Sequence, residues 1–347
     1  MNFKRMWAMF QARNHEFFRD RAAFGWNFAF PFLIILGFGL IFSNRDHQTF
    51  KVGIFPAVPL LEAQTSGAIP QTFLESNYLE FIEFSDQARG EERLRHHKID
   101  LLIERTSPGP RYWINDSSPT GYLAEQLLLA ALLPADQFPL RQLVNGQQSR
   151  YLDWLFPGIL AMNMMFSALW GVGYVVVRYR KNGTLKRLKA TPLTALEYLS
   201  AQMLSRIFLL LFTTTIVWFG ADLIFHFQVQ GSYLLIFFLF FLGGLSLCSI
   251  GLVLAARGTS EEFTSGVLNF ISWPMMFLSE VWFSLEGSPV WIQKIALLFP
   301  LTHLLNAVRR VMSEGADLMA VQVECLALAG FTIIFLTIAA LIFSWND

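Results

Sequence analysis

Long apolar runs separated by short charged segments set the pattern of the chain. Phe24 to Phe42, Trp154 to Val177, about Leu199 to Phe225, Ser232 to Ala256, Phe263 to at least Ser279, and Cys325 to Trp345 form six such runs, all but the third free of charge. In lipid every backbone N–H and C=O must be satisfied within the segment, which takes a helix of about 20 apolar residues. The pattern therefore predicts an α-helical polytopic protein with about six transmembrane helices. The first run is long and exits at Ser43-Asn44-Arg45-Asp46 with no small-residue cleavage site, so it reads as a retained span rather than a signal peptide.

Between the first two runs the pattern changes. Lys51 to Phe55 and Ile99 to Ile103 are short β-branched stretches, whereas Asp86 to His97 and Gly121 to Leu133 have helical spacing. Residues 44–153 are expected to form an α/β domain, too long for a connector.

Composition agrees with a membrane chain: 54% of the 347 residues are hydrophobic and only 15% are charged, against roughly 25% in soluble domains. With 26 basic and 26 acidic residues the net charge is zero, so partners cannot be inferred from it. Cys248 and Cys325 lie in apolar runs and read as small buried hydrophobes, without a disulfide framework or metal site. His96-His97 lacks companion ligands and reads as a solvated helix face.

Local charge sets the orientation. Lys4, Arg5, Arg13, Arg19 and Arg21 precede the first span, and Arg178, Arg180, Lys181, Lys186, Arg187 and Lys189 follow the second. By the positive-inside rule both segments belong in the cytoplasm, with both termini there and residues 44–153 outside. Arg309 and Arg310, between spans five and six, fall on the wrong side. Either a span is miscounted or the stretch from Trp291 to Val311 is amphipathic or re-entrant.

No G-x-x-x-x-G-K-[ST] phosphate loop occurs anywhere, so the chain is not expected to hydrolyse ATP itself. Asn163, Asp222, His226 and Glu280 are polar groups at or near membrane depth, open to functional or structural readings. The most informative stretch is RYRKNGTLKRLKATPLTALEYL, from Arg178 to Leu199. Positive-inside charge and attraction to anionic lipid account for its basic residues. They leave the Gly183-Thr184 and Thr191-Pro192 punctuation unexplained, which fits a short helix-turn-helix presented to a cytoplasmic partner.

GTLKRLKATPLTALEYL at 183–199 resembles the coupling segment of ABC type-2 exporter permeases. Residues 16–36, with Glu16, Arg19 and Asp20 leading into a span that carries Pro31, resemble the family's interfacial helix and first span. Residues 277–310, with Pro289, Pro300, His303 and Arg309, resemble its stretch after span five. The resemblance covers the whole length, in the branch with a large outer domain.

It implies residues 1–23 as a cytoplasmic amphipathic interfacial helix, 24–43 as the first transmembrane helix, and 154–347 as a transmembrane domain of helices two to six. Within the last lie the coupling segment 178–198 and an external re-entrant region 284–320 containing Pro300, His303 and Arg309. Coupling to an ATPase would fall on Gly183, Thr184, Leu185, Arg187, Leu188, Thr191 and Pro192, with Glu16, Arg19 and Asp20. Spans two and five would line the path, with Asn163, Met164, Asn269 and Glu280 as candidates.

The implied partners are a separate ATP-binding cassette ATPase subunit, a second permease copy or a similar permease, and membrane lipid, with a periplasmic adaptor as a further candidate and no nucleic acid. ATP and Mg would sit on the ATPase subunit, with no cofactor, metal or catalytic residue on this chain. The setting would be a bacterial inner membrane, and the cargo an amphipathic, drug-like or lipid-linked solute. Two departures stand out: Lys181-Asn182 replaces the acidic residue common before Gly-Thr, and Glu280 stands where a small residue is usual. The rival readings are a non-transporting sensor or envelope scaffold and an ion-coupled carrier using Asp222, Glu280 or Glu324.

Overall fold

The computed structural model describes residues 2–42, 50–56, 69–104, 111–116, 118–132, 150–256, 258 and 260–343. The chain divides into two compact units, Met1–Ser43 with Ser149–Asp347, and Asn44–Gln148. The expected exit at Ser43 to Asp46, Leu133, and the end of the last apolar run at Trp345 lie outside the described residues.

The first unit opens with α1 (Phe3–Arg19), capped by Asn2, whose side chain accepts from the Lys4 amide at 3.1 Å. The helix breaks at Asp20, and α2 (Arg21–Phe42) follows with Pro31 inside it. Of the later helices, α6 (Tyr151–Ala168) runs through a π-helix at Leu169–Tyr174 into α7 (Val175–Lys181), and α8 (Thr184–Lys189) leads to the long α9 (Ala195–Phe225). Then come α10 (Tyr233–Ala255), α11 (Glu261–Leu278), the short α12 (Val290–Ala296), α13 (Pro300–Glu314) and α14 (Gln322–Ile342).

Side chains fix these boundaries. Thr194 and Glu197 form a reciprocal capping box at the start of α9, which satisfies two amides that the helix itself leaves open. At its other end His226 turns left-handed with φ of 50°, and the Asp222 carboxylate accepts from the Phe227 amide at 3.0 Å. Arg150 donates to the carbonyls of Phe225 and His226 at 3.1 and 3.0 Å, placing a cation at the negative end of the helix dipole.

Among the described residues five helices are long and apolar enough to cross a membrane: Phe24–Ile41, Tyr151–Lys181, Ala195–Phe225, Tyr233–Ala255 and Gln322–Ile342. The pair α12 and α13, bent by 96°, makes a sixth if taken as one broken span. The count agrees with the hydropathy reading, but the membership differs. The run from Phe263 does form α11, an 18-residue helix that opens on Glu261 and Glu262 and so is not among the five by apolarity.

Burial separates core from periphery. Two thirds of the apolar windows of α6–α7 and α10 are buried within the chain, against 17% for α2 and 11% for α14. The core therefore packs on α6 and α10, where Phe156 stacks on Phe227 at 3.9 Å and meets Trp218 edge-on at 5.0 Å. Helices α2 and α14 turn residues such as Leu33, Leu40, Ile333 and Leu341 outward, as an apolar surrounding allows.

The second unit holds a four-stranded sheet in the order β2-β1-β3-β4. Strand β1 (Phe50–Phe55) pairs in parallel with β2 (Leu79–Glu83) and β3 (Leu101–Glu104), and β4 (Arg111–Ile114) adds to β3 antiparallel. Parallel neighbours need crossovers, supplied by α3 (Gln71–Leu74) and α4 (Gln87–Arg95), with α5 (Pro119–Leu132) after β4. Alternation sends Val52, Ile54, Leu101 and Ile103 to one face with Leu128 of α5, and Phe55 and Leu102 to the other with Leu94 of α4.

Candidate functional site

The helix α7 ends where Gly183 takes φ of 73°, a left-handed conformation that costs other residues about 1–2 kcal/mol. Asn182 steadies the turn by accepting from the Thr184 amide at 3.2 Å and its hydroxyl at 2.7 Å. Helix α8 then lays its basic residues along one side. Leu185 is buried among Val176, Tyr198 and Ala255, with Leu188 half-buried beside them, so the two leucines anchor the segment. Arg187, Thr191 and Pro192 remain exposed. Thr191 closes the helix by donating to the Leu188 carbonyl at 2.6 Å.

Substituting Gly183 by valine is expected to lower the stability of this turn by about 1–2 kcal/mol. Faster proteolytic cleavage between residues 181 and 192 in detergent would read this out, and unchanged cleavage would contradict it.

Helix α1 grips this segment at two places. At its start the Asn2 amide donates to Glu197, whose other carboxylate oxygen accepts from the Thr194 amide at 3.0 Å, while Arg5 donates to the Pro192 carbonyl. Further along, the Arg13 guanidinium lies 5.1 Å over the Tyr179 ring. Glu16 receives Arg13, the Tyr179 hydroxyl, and Arg178 at 3.2 Å. Ser205 adds a bond from α9 to Asn14 at 2.7 Å. Arg19 and Asp20 are exposed at the junction with α2. Thus Glu16 joins the expected coupling stretch directly, whereas Arg19 stays apart from it.

The opposite side of α7 is tied to the helices beyond. Buried Arg180 donates to the carbonyls of Ala255 at 2.9 Å, Ala256 at 3.1 Å, and Gly258, capping α10. Lys181 pairs with Glu261 at 3.4 Å, and Tyr174 donates to the same carboxylate at 2.6 Å. Lys181, where the resemblance leads one to expect an acid, thus has its acid on α11.

The expected path residues do not converge. Met164 is buried inside the chain, and Asn163 donates to the Asn27 carbonyl at 3.4 Å. Asn269 is exposed on α11 and bonds within its own helix at 3.0 Å. Glu280 stands apart from both, in a left-handed turn with φ of 60°. One of its oxygens accepts from the Leu285 amide at 3.1 Å, and the other lies 3.7 Å from Arg309.

Arg309 also donates to the Glu280 carbonyl at 2.7 Å and to the Trp154 carbonyl at 3.2 Å, with its guanidinium 3.7 Å over the Trp154 ring. The cation on the wrong side of the charge rule and the acid at a small-residue position are therefore partners. Arg310 pairs with Glu324 at 3.2 Å. With Asp222 capping α9, each acid of the ion-coupled carrier reading already has a structural partner. At the 96° bend Pro300 opens α13, Thr302 donates to the Ala296 carbonyl at 2.6 Å, and His303 donates through Nε2 to the Leu297 carbonyl at 2.9 Å.

The family model described as "ABC-2 family transporter protein" matches residues 22–341. This chain belongs to the ABC-2 transporter family. The probable multidrug ABC transporter permease YbhR of Escherichia coli (strain K12) is 26% identical over 169 residues, covering 48% of this chain and 46% of that protein. The inner membrane transport permease YhhJ of the same organism is 25% identical over 196 residues, 54% of this chain and 51% of that protein. ABC transporter G family member 20 of Dictyostelium discoideum is 25% identical over 209 residues, 58% of this chain and 28% of that protein. The chain spans about half the length of the first two and less of the third.

Sequence reading of this ABC-2 permease missed Arg13, Tyr179, Glu197 and Asn2. No spacing rule links residue 13 to residue 179. The available signal was chemical: a tyrosine among basic residues after a span, and a glutamate three residues past Thr194.

Proposed function

We propose that this ABC-2 permease is the membrane subunit of an exporter, driven by ATP hydrolysis in a separate ATP-binding cassette subunit that carries the ATP and Mg. The observation that carries the reading is the α7–α8 turn. Its exposed Arg187, Thr191 and Pro192 present a rigid face, while Leu185, Glu197 and α1 fix that face to the bundle behind it. A push on the turn would pass to α6–α7, α9 and α10 together.

In this reading both termini and α8 lie in the cytoplasm of a bacterial inner membrane, residues 44–153 form the outer domain, and the α12–α13 bend is its external re-entrant element. A second permease copy or a similar permease would pack so that α6 and α11 face the path. The exposed Phe270, Trp273 and Phe277 of α11 supply an apolar wall there, which suits an amphipathic, drug-like or lipid-linked cargo. The name of YbhR, a probable multidrug permease, supports the same class of cargo.

The test is to purify the tagged chain from its native membrane, identify what accompanies it and assay hydrolysis. A stoichiometric ATPase subunit that hydrolyses ATP is expected. A Thr191→Asp, Pro192→Asp double variant is expected to insert normally and to lose about tenfold in export per ATP, the scale of typical coupling energies. A chain recovered alone, without activity toward ATP, would favour a sensor or scaffold.

A further inference from the structure

Arg206 lies about 16 Å into α9 by the helical rise, in an apolar stretch with no use in the coupling site. Its guanidinium turns toward the preceding span, donating to the carbonyl and hydroxyl of Ser167, the latter at 2.6 Å. Ser167 in turn donates to the Asn27 side chain at 2.7 Å.

The place is built for the guanidinium. Gly171, inside the π-helix, lies directly beneath it, and a side chain there would take the same space. Single π-turns within helices are frequent at functional sites.

Among the described residues Arg206 makes no ion pair, and its Nε is buried without a partner. One turn earlier, Gln202 is only 2% exposed, and neither atom of its amide has a partner. A desolvated cation without a counter-charge and a buried amide without a partner are both costly, and a ligand that supplies both would relieve them. Both groups border a cavity of about 240 Å³ that reaches toward α1, where Arg13 and Arg178 stand with the carboxylates of Glu16 and Asp20. Arg206 and Asn27 also line a second cavity of about 440 Å³, walled by Trp26, Phe30, Phe166 and Trp170. Trp26 is 63% exposed at its mouth.

We infer that these adjoining cavities form a binding site for an anionic amphiphile. Its phosphate or carboxylate head would be held by Arg206, Gln202 and Asn27, and its acyl tail laid along Trp26 and Phe30. A guanidinium takes either head through paired hydrogen bonds, and the aromatic wall suits a chain rather than a free ion. The site holds whether the ligand is carried across the membrane or resides there, and so does not rest on the export reading.

The full chain, reconstituted in phosphatidylcholine nanodiscs, is to be titrated with oleoyl lysophosphatidate, oleate, oleoyl lysophosphatidylcholine and inorganic phosphate. Lysophosphatidate and oleate are expected to bind about tenfold tighter than lysophosphatidylcholine, the effect of one charged pair, and phosphate alone not to compete. Arg206→Gln is expected to abolish the preference, Arg206→Lys to keep part of it, and Trp26→Ala at the exposed mouth to weaken both anionic probes.

Displacement by added phosphatidylglycerol would identify membrane lipid as the source, and its failure a single-chain amphiphile from the aqueous side. Either result keeps the site. Equal affinity of the wild-type chain for charged and zwitterionic heads would overturn the inference, a comparison that needs no variant to fold. A preference that survives in Arg206→Gln, or phosphate binding as tightly as lysophosphatidate, would overturn it as well.

Discussion

Arg309→Leu is expected to destabilise the permease by about 3 kcal/mol, because it strips a half-buried carboxylate of its cation. Arg309 is buried and Glu280 half-buried, and the guanidinium also holds two carbonyls and the Trp154 face. The double variant Arg309→Leu, Glu280→Gln is expected to recover part of the loss, since the glutamine side chain can still accept from the Leu285 amide without a charge to neutralise. Thermal unfolding followed by size exclusion in detergent would compare the three proteins. A double variant as unstable as the single one would show that the carboxylate is not what Arg309 neutralises.

Reversing the charge of Glu16 is expected to act on transport more than on folding. Glu16→Arg would set a third cation against Arg13 and Arg178 and remove the acceptor of the Tyr179 hydroxyl. Exposed ion pairs contribute about 0–1 kcal/mol each, so the folded chain should survive while the middle of α1 leaves α7. Under the proposed export reading, transport by the reconstituted complex is expected to fall about tenfold, within the usual range of coupling between sites, with ATP hydrolysis less affected. Export at the wild-type rate would mean that α1 is packing and not part of the transmission.

Hydropathy made the spanning helices legible because lipid demands an uncharged helix of fixed length, and that demand is written residue by residue. The turn after the second span was legible for a similar local reason: Gly183 and Thr191-Pro192 carry their conformations in their own covalent structure. Strands β2 and β4 were not. Leu79–Glu83 is interrupted by charges, and Arg111–Ile114 is four residues long, so both are strands only because β1 and β3 lie beside them.

Long-range pairs were legible only as anomalies. Arg309 and Glu280 each broke a rule, and only the fold shows that each answers the other. Arg206 was visible as a charge within a run of apolar residues, but its meaning depends on Ser167 and Gly171 of another span, which no pattern along α9 could supply.

The π-helix at Leu169–Tyr174 amounts to an extra residue wound into an otherwise regular rod. Winding the same residues as a plain α-helix, without the wide turn, would swing everything beyond it by about 100° around the axis. Tyr179 would then face away from α1, and Arg180 away from the carbonyls at the end of α10. The phase in which the α7–α8 turn meets its neighbours is therefore set a full turn upstream, by a count of residues in the wall of the cavity beneath Arg206.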